Sequence, residues 1–135
     1  MDLMKSVAVS SSGMAAQSTR MQMIAENIAN ANSIETPEGG PYRRKVILFE
    51  SKLNKETGLH DVKVQHISKD YSKPLKQVYD PSHELADANG FVAHPNVNTF
   101  LEKIDMREAS RAYEANMSAI ESAKEMMVRS LDLLR

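Results

Sequence analysis

The chain has 135 residues, a formal net charge of −1 and no cysteine. That length holds one domain, or one domain with an extension, and near-neutral charge leaves no electrostatic footprint for nucleic acid or an anionic surface. The missing thiols exclude disulfides, thiol catalysis and cysteine-ligated metal. No apolar run is long enough to cross a bilayer, and the start lacks the basic-then-apolar pattern of a cleaved secretory signal.

Segment 1–33 reads as one long helix. Val7, Met14, Met21 and Ile28 recur on one heptad position, and Leu3, Ser10, Gln17, Ile24 and Ala31 on a second. That is the pattern of a helix that pairs with another helix. No charge falls between Ser6 and Thr19, and the remaining faces are small and neutral (Ala8, Ser11, Ala15, Ala25). A helix free in solvent carries a charged outer face, so this one is expected to end up packed in an assembly. Ser10-Ser11-Ser12-Gly13 is weak in helix propensity, with Gly costing about 1 kcal/mol relative to Ala. Such a helix orders only with a partner. It should end near Asn30–Ser33, because Asn tolerates the left-handed conformation that closes helices. Thr36-Pro37 then blocks continuation.

Segment 34–97 reads as a small, solvated β-rich insert. A strand is expected over Arg43–Phe49, a turn over Asn54–Gly58 and a second strand over Leu59–Lys69. In the second strand Val62 and Val64 alternate with Lys63 and Gln65, but Ile67 breaks the phase. Lys73–Tyr79 reads as a short extended piece and Asp80–Asp87 as loop. Asn89-Gly90 before Phe91-Val92 is a hairpin signal. The stretch 50–76 is expected to be the variable part of the insert.

Segment 98–135 reads as a second long helix. Thr99 and Glu102 have capping-box spacing, with Asn98 as the alternative cap. Met106, Tyr113, Ile120, Met127 and Leu134 recur every seven residues, flanked by Ala109, Met117, Ala123 and Leu131. Val97, Phe100, Leu101 and Ile104 form a stripe of different phase, turned to the insert or marking a register shift. The expected fold class is mainly α with a small β-rich insert, the long N- and C-terminal helices pairing as an antiparallel coiled coil.

The chemistry-bearing residues are sparse. His60, His66, His83 and His94 lack ligand spacing, so no metal site is expected. There is no nucleophile elbow or phosphate-binding glycine loop, and neither a catalytic role nor a cofactor is expected. Arg43-Arg44-Lys45 reads as a solvated strand start rather than an anion site.

Five stretches carry a resemblance. They are Arg20-Met21-Gln22-Met23-Ile24-Ala25-Glu26-Asn27-Ile28-Ala29-Asn30-Ala31-Asn32, Thr36-Pro37-Glu38-Gly39-Gly40-Pro41-Tyr42-Arg43-Arg44-Lys45, Val78-Tyr79-Asp80-Pro81, His94-Pro95-Asn96-Val97-Asn98 and Glu108-Ala109-Ser110-Arg111-Ala112-Tyr113-Glu114-Ala115-Asn116. Together they resemble the axial family of the bacterial flagellar rod and hook, over nearly the whole chain. The resemblance implies a structural subunit of the rod, not an enzyme, exported unfolded through the flagellar type III apparatus without a cleaved signal peptide. It implies polymerisation through the terminal helices, with copies of itself and other rod subunits, into a periplasm-crossing drive shaft and export channel. Nucleic acid and direct membrane insertion have no part in it. Met21, Ile24, Asn27, Ile28 and Asn30 fall in the N-terminal assembly motif, and Arg111, Tyr113, Glu114 and Asn116 in its C-terminal counterpart. The heptad reading adds Ile120, Met127 and Leu131 to this interface. Two alternatives stand beside it: a soluble helical-hairpin chaperone or adaptor, and a peripheral membrane protein. The lack of flanking Lys or Arg on the first helix speaks against the latter.

Overall fold

A computed structural model describes residues 3–133. Helix α1 spans Leu3–Ala29 and helix α2 spans Thr99–Asp132. Between them lie β1 (Lys45–Asn54), β2 (Leu59–Lys69), β3 (Lys76–Tyr79) and β4 (Phe91–His94). The strands form two separate antiparallel hairpins, β1–β2 and β3–β4. Two long helices around a small β insert is the fold class the sequence predicts.

The helices run antiparallel. Asn27 meets Glu102, Arg20 lies 3.9 Å from Glu108, and Gly13 abuts Asn116. From the first contact to the last, both helices advance by 14 residues, in opposite directions. At about 1.5 Å per residue α1 is roughly 40 Å long and α2 roughly 51 Å. The weak Ser10–Gly13 stretch stays helical because its partner lies in the same chain. A Cβ built on Gly13 would sit 3.0 Å from Asn116 Nδ2, so glycine leaves room here for the Asn116 side chain.

The apolar core sits at one end of the pair, where Met23, Ile24 and Ala109 are buried and Met21, Ile28, Ile47 and Met106 pack around them. Ile24 is 1% exposed. The β1–β2 hairpin lies along α1, and Ser12 Oγ accepts the Val62 N–H at 3.1 Å. That hydroxyl satisfies a donor on the edge of β2.

Several expected details shift. β1 starts later than the expected Arg43 because the Arg44 N–H is taken by Asn96 Oδ1, and it ends later than Phe49 because its ladder with β2 continues to Asn54 opposite Leu59. The broken phase of β2 has a local cause: Leu48 pairs His66 whereas Phe49 pairs Val64, so Gln65 is an extra residue. A bulge of this kind flips the faces beyond it. Asn89-Gly90 does not make a two-residue hairpin. β3 and β4 are joined by the loop 80–90, and Gly90, with φ of 82°, closes it beside Tyr79 and Pro81. The capping box at Thr99 is absent. Asn98 caps α2, its side chain accepting the Phe100 and Leu101 N–H groups, while Glu102 turns inward.

Candidate functional site

The most concentrated polar structure in the chain joins four distant segments where the core end of the helix pair meets the insert. Asn27 is fully buried on the last turns of α1. Its Oδ1 accepts the Lys45 N–H at 2.8 Å and the Tyr42 hydroxyl at 2.9 Å. Its Nδ2 donates to the Lys45 carbonyl at 2.9 Å and to Glu102 Oε2 at 3.1 Å. The amide therefore serves both backbone groups of Lys45 at the start of β1, as a neighbouring strand would. Asparagine alone among small side chains both donates and accepts in this way.

Glu102, 1% exposed, is neutralised by Arg44, whose Nε donates to Oε1 at 2.5 Å. A buried carboxylate persists only when paired and hydrogen-bonded. Arg44 also lies 3.6 Å from Asp105 and 3.8 Å from Asp70. Asn96 completes the joint: its Oδ1 accepts the Arg44 N–H at 2.8 Å, and its Nδ2 donates to the Asp70 carbonyl at 3.0 Å and to that of Lys73 at 3.1 Å. Burial pushes the Tyr42 hydroxyl up to about 12, with the carboxylates of Glu26 and Glu102 acting in the same direction. The Asp70 carboxyl is held below its ordinary range, first by hydrogen bonds from the Ser72 hydroxyl and backbone N–H. The result is a staple that fixes the insert to the helix pair.

The expected assembly residues divide by placement. Met21, Ile24, Asn27 and Ile28 face into the subunit's own core and staple. Asn30, just beyond α1, donates to the Glu26 carbonyl at 2.9 Å. Tyr113, Asn116, Ile120 and Met127 are half-buried along the side of α2 that carries buried Glu102, Ala109 and Ala123. Arg111 and Glu114 are exposed on the opposite side. Leu131 shares the phase of Met127 yet is 65% exposed, because no described α1 residue lies opposite it. Met117 is off the seam and exposed. Of the second stripe, Val97 is buried and Leu101, half-exposed, borders a groove with Lys73, Pro74 and Lys76 of the insert, whereas Phe100 and Ile104 are open to solvent.

Arg44, Tyr42, Asn96, Asp70 and Glu102 were not expected to act together. The signal available was an asparagine and a glutamate on the apolar sides of two predicted helices, with an arginine just before an apolar strand. Among the described residues no group of three or more His, Cys, Asp or Glu side chains is placed to hold a metal, and no helix is long and apolar enough to cross a membrane.

The class the fold defines is a long antiparallel helix pair with a small β-rich insert stapled to one end. The family model for flagella basal body rod proteins matches residues 8–33, on α1, and the model for the C-terminal part of flagellar basal body rod FlgEFG proteins matches residues 88–133, on β4 and α2. Over 128 residues the chain is 42% identical to the flagellar basal-body rod protein FlgC of Agrobacterium fabrum, covering 94% of this chain and 91% of that one. It is 41% identical to FlgC of Borreliella burgdorferi, covering 100% and 99%, and 39% identical to FlgC of Salmonella typhimurium, covering 93% and 92%. The chain belongs to the flagellar basal-body rod protein FlgC family: it is a structural subunit of the basal-body rod and not an enzyme.

Proposed function

We propose that this rod subunit polymerises through its terminal helices, with copies of itself and with other rod subunits, into the part of the drive shaft that crosses the periplasm around the export channel. Segments 1–33 and 98–135 form the assembling core, with their heptad stripes wound as a coiled coil, and segment 34–97 forms a β-rich insert with a variable loop. The chain reaches its place unfolded through the flagellar type III apparatus, without a cleaved signal peptide. Met21, Ile24, Asn27, Ile28, Asn30, Arg111, Tyr113, Glu114, Asn116, Ile120, Met127 and Leu131 make up the assembly core, the inward ones by shaping the helix pair and the outward ones by contact.

The observation that carries this reading is the set of large apolar side chains left open at both ends of α2: Phe100, Leu101 and Ile104 at one end, Leu131 and Leu133 at the other. Contiguous exposed apolar surface marks a site of association. The test is a strain whose only copy of the chain carries Leu101→Asp and Leu131→Asp. Basal bodies should lack a complete rod in electron micrographs, and swimming should stop while the variant is still synthesised. Complete rods containing the double variant would overturn the reading.

A further inference from the structure

The β3–β4 hairpin packs against no other helix or strand of the described residues. It forms a short arm, its strands about 13 Å long, with the loop 80–90 at its tip. One face of the arm is turned in, where Val92 is 2% exposed. The other carries Tyr79 and Phe91, which pair edge-to-face with ring centres 5.4 Å apart and are both exposed. The loop holds Asp80, Glu84 and Asp87 and no Lys or Arg. Two of these acids shape the loop itself. Asp80 accepts from the Ser82 hydroxyl and N–H, and Asp87 accepts from the Asn89 and Phe91 N–H groups. Glu84 is exposed beside exposed Leu85 and has no partner among the described residues.

A cleft elsewhere on the insert has the opposite character. Pro37, Arg43, Lys45, Lys69 and Tyr71 line it, and no residue of the arm does. Its lining includes one acid, Glu38, which is taken by Lys69, while Lys45 is held by Glu26. Arg43 has no carboxylate partner among the described residues. Its guanidinium lies 4.7 Å from the centre of the Tyr71 ring, and Tyr71 is 72% exposed.

We infer that the arm of one copy docks in this cleft of a second copy of the chain. Glu84 meets Arg43, and Leu85 with the outward aromatic face covers Tyr71 and Pro37. Each surface holds one charge left without a partner, and the two charges are opposite. Exposed aromatic side chains are the usual anchors of such contacts, and a loop already shaped by its own hydrogen bonds loses little freedom on docking. Arm and cleft are unlike surfaces, so the contact is heterologous and passes from copy to copy. It joins insert to insert and leaves both helices free to surround a channel. The inference rests on the polymerising rod subunit proposed above and adds a contact that its helices do not supply.

The chain has no cysteine, so introduced thiols report the contact alone. One strain would express two differently tagged copies, one with Ala88→Cys on the arm and one with Pro37→Cys in the cleft, both at exposed positions. Isolated basal bodies treated with a short bismaleimide should yield dimers that carry both tags. Either variant expressed alone should yield none, because the contact joins unlike surfaces. In a strain without thiols, Glu84→Arg should lower the amount of the chain in basal bodies on the order of tenfold. Adding Arg43→Glu to the same chain should restore it. Equal dimers from either thiol variant alone, links only to other rod proteins, no links, or no rescue by the charge swap would each overturn the inference. In each of those cases, detecting the unsubstituted chain in basal bodies by immunoblot leaves its place in the rod intact. Its absence from basal bodies would overturn the proposed function as well.

Discussion

Replacing Arg44 with Met keeps most of the buried stem and deletes the cation. Glu102 then keeps a carboxylate at 1% exposure with only the Asn27 amide against it. Breaking a buried pair from one side costs about 3–5 kcal/mol, because the remaining charge is uncompensated. Asp105 is partly open to water and Asp70 keeps its Ser72 bonds, so both add little. Against a usual total of about 5–15 kcal/mol the loss is a large fraction. Urea unfolding of the purified chain, followed by far-ultraviolet circular dichroism, should show the midpoint falling steeply. The double variant Arg44→Met/Glu102→Gln removes both charges and leaves an amide that still bonds Asn27. It should recover at least half of the loss, with a coupling of about 1–3 kcal/mol between the sites. A single variant within about 1 kcal/mol of the parent, or a double variant that loses the sum of the two singles, would refute the staple as a buried, mutually dependent pair.

Other outcomes follow from the same geometry. Ile24→Ala should cost about 2–5 kcal/mol in urea, since Ile24 lies in the packed core. Leu131→Ala should stay within about 0.5 kcal/mol, and deleting residues 130–135 should spare folding while blocking incorporation into the rod, read by electron microscopy of basal bodies. Gly13→Ala should be nearly neutral alone, because the helix propensity it gains, about 1 kcal/mol, is spent pushing Asn116 aside. With Asn116→Ala added the gain should appear in full, and an additive pair would count against the close approach. On the alkaline side Tyr42 binds its proton more tightly folded than unfolded, so its contribution is complete below the usual tyrosine value near 10 and is lost as pH rises towards about 12. Tyr42→Phe should flatten stability in that window. Asp70 has the opposite sign: its depressed folded value gives stability that is present above the ordinary carboxylate range and lost as pH falls through the folded one. Asp70→Asn should remove that acid-side loss.

The two helices and both long strands were legible in the sequence because each depends on residues within a few positions of one another, but the heptad stripes were legible only in part: Ala16 and Met23, off the first stripe, are buried, while Met117 and Leu131, on the second, are exposed. Seven-residue recurrence marks a helix whatever lies opposite, and Thr36-Pro37 bars helix beyond it by local sterics, although α1 already ends at Ala29. Burial at the helix ends was not legible in the same way. Leu131 has the phase of a seam residue, yet its exposure depends on where α1 runs out, which no pattern within α2 encodes. The staple belongs wholly to the tertiary structure. Asn27 reaches Glu102 across 75 positions and Arg44 reaches Glu102 across 58. In sequence Glu102 is a plausible capping residue and Arg44 an ordinary basic strand start. Only the antiparallel docking of α1 on α2, with β1 laid across its end, removes water from all three. Without water the carboxylate requires the guanidinium, and the free edge of β1 requires an amide.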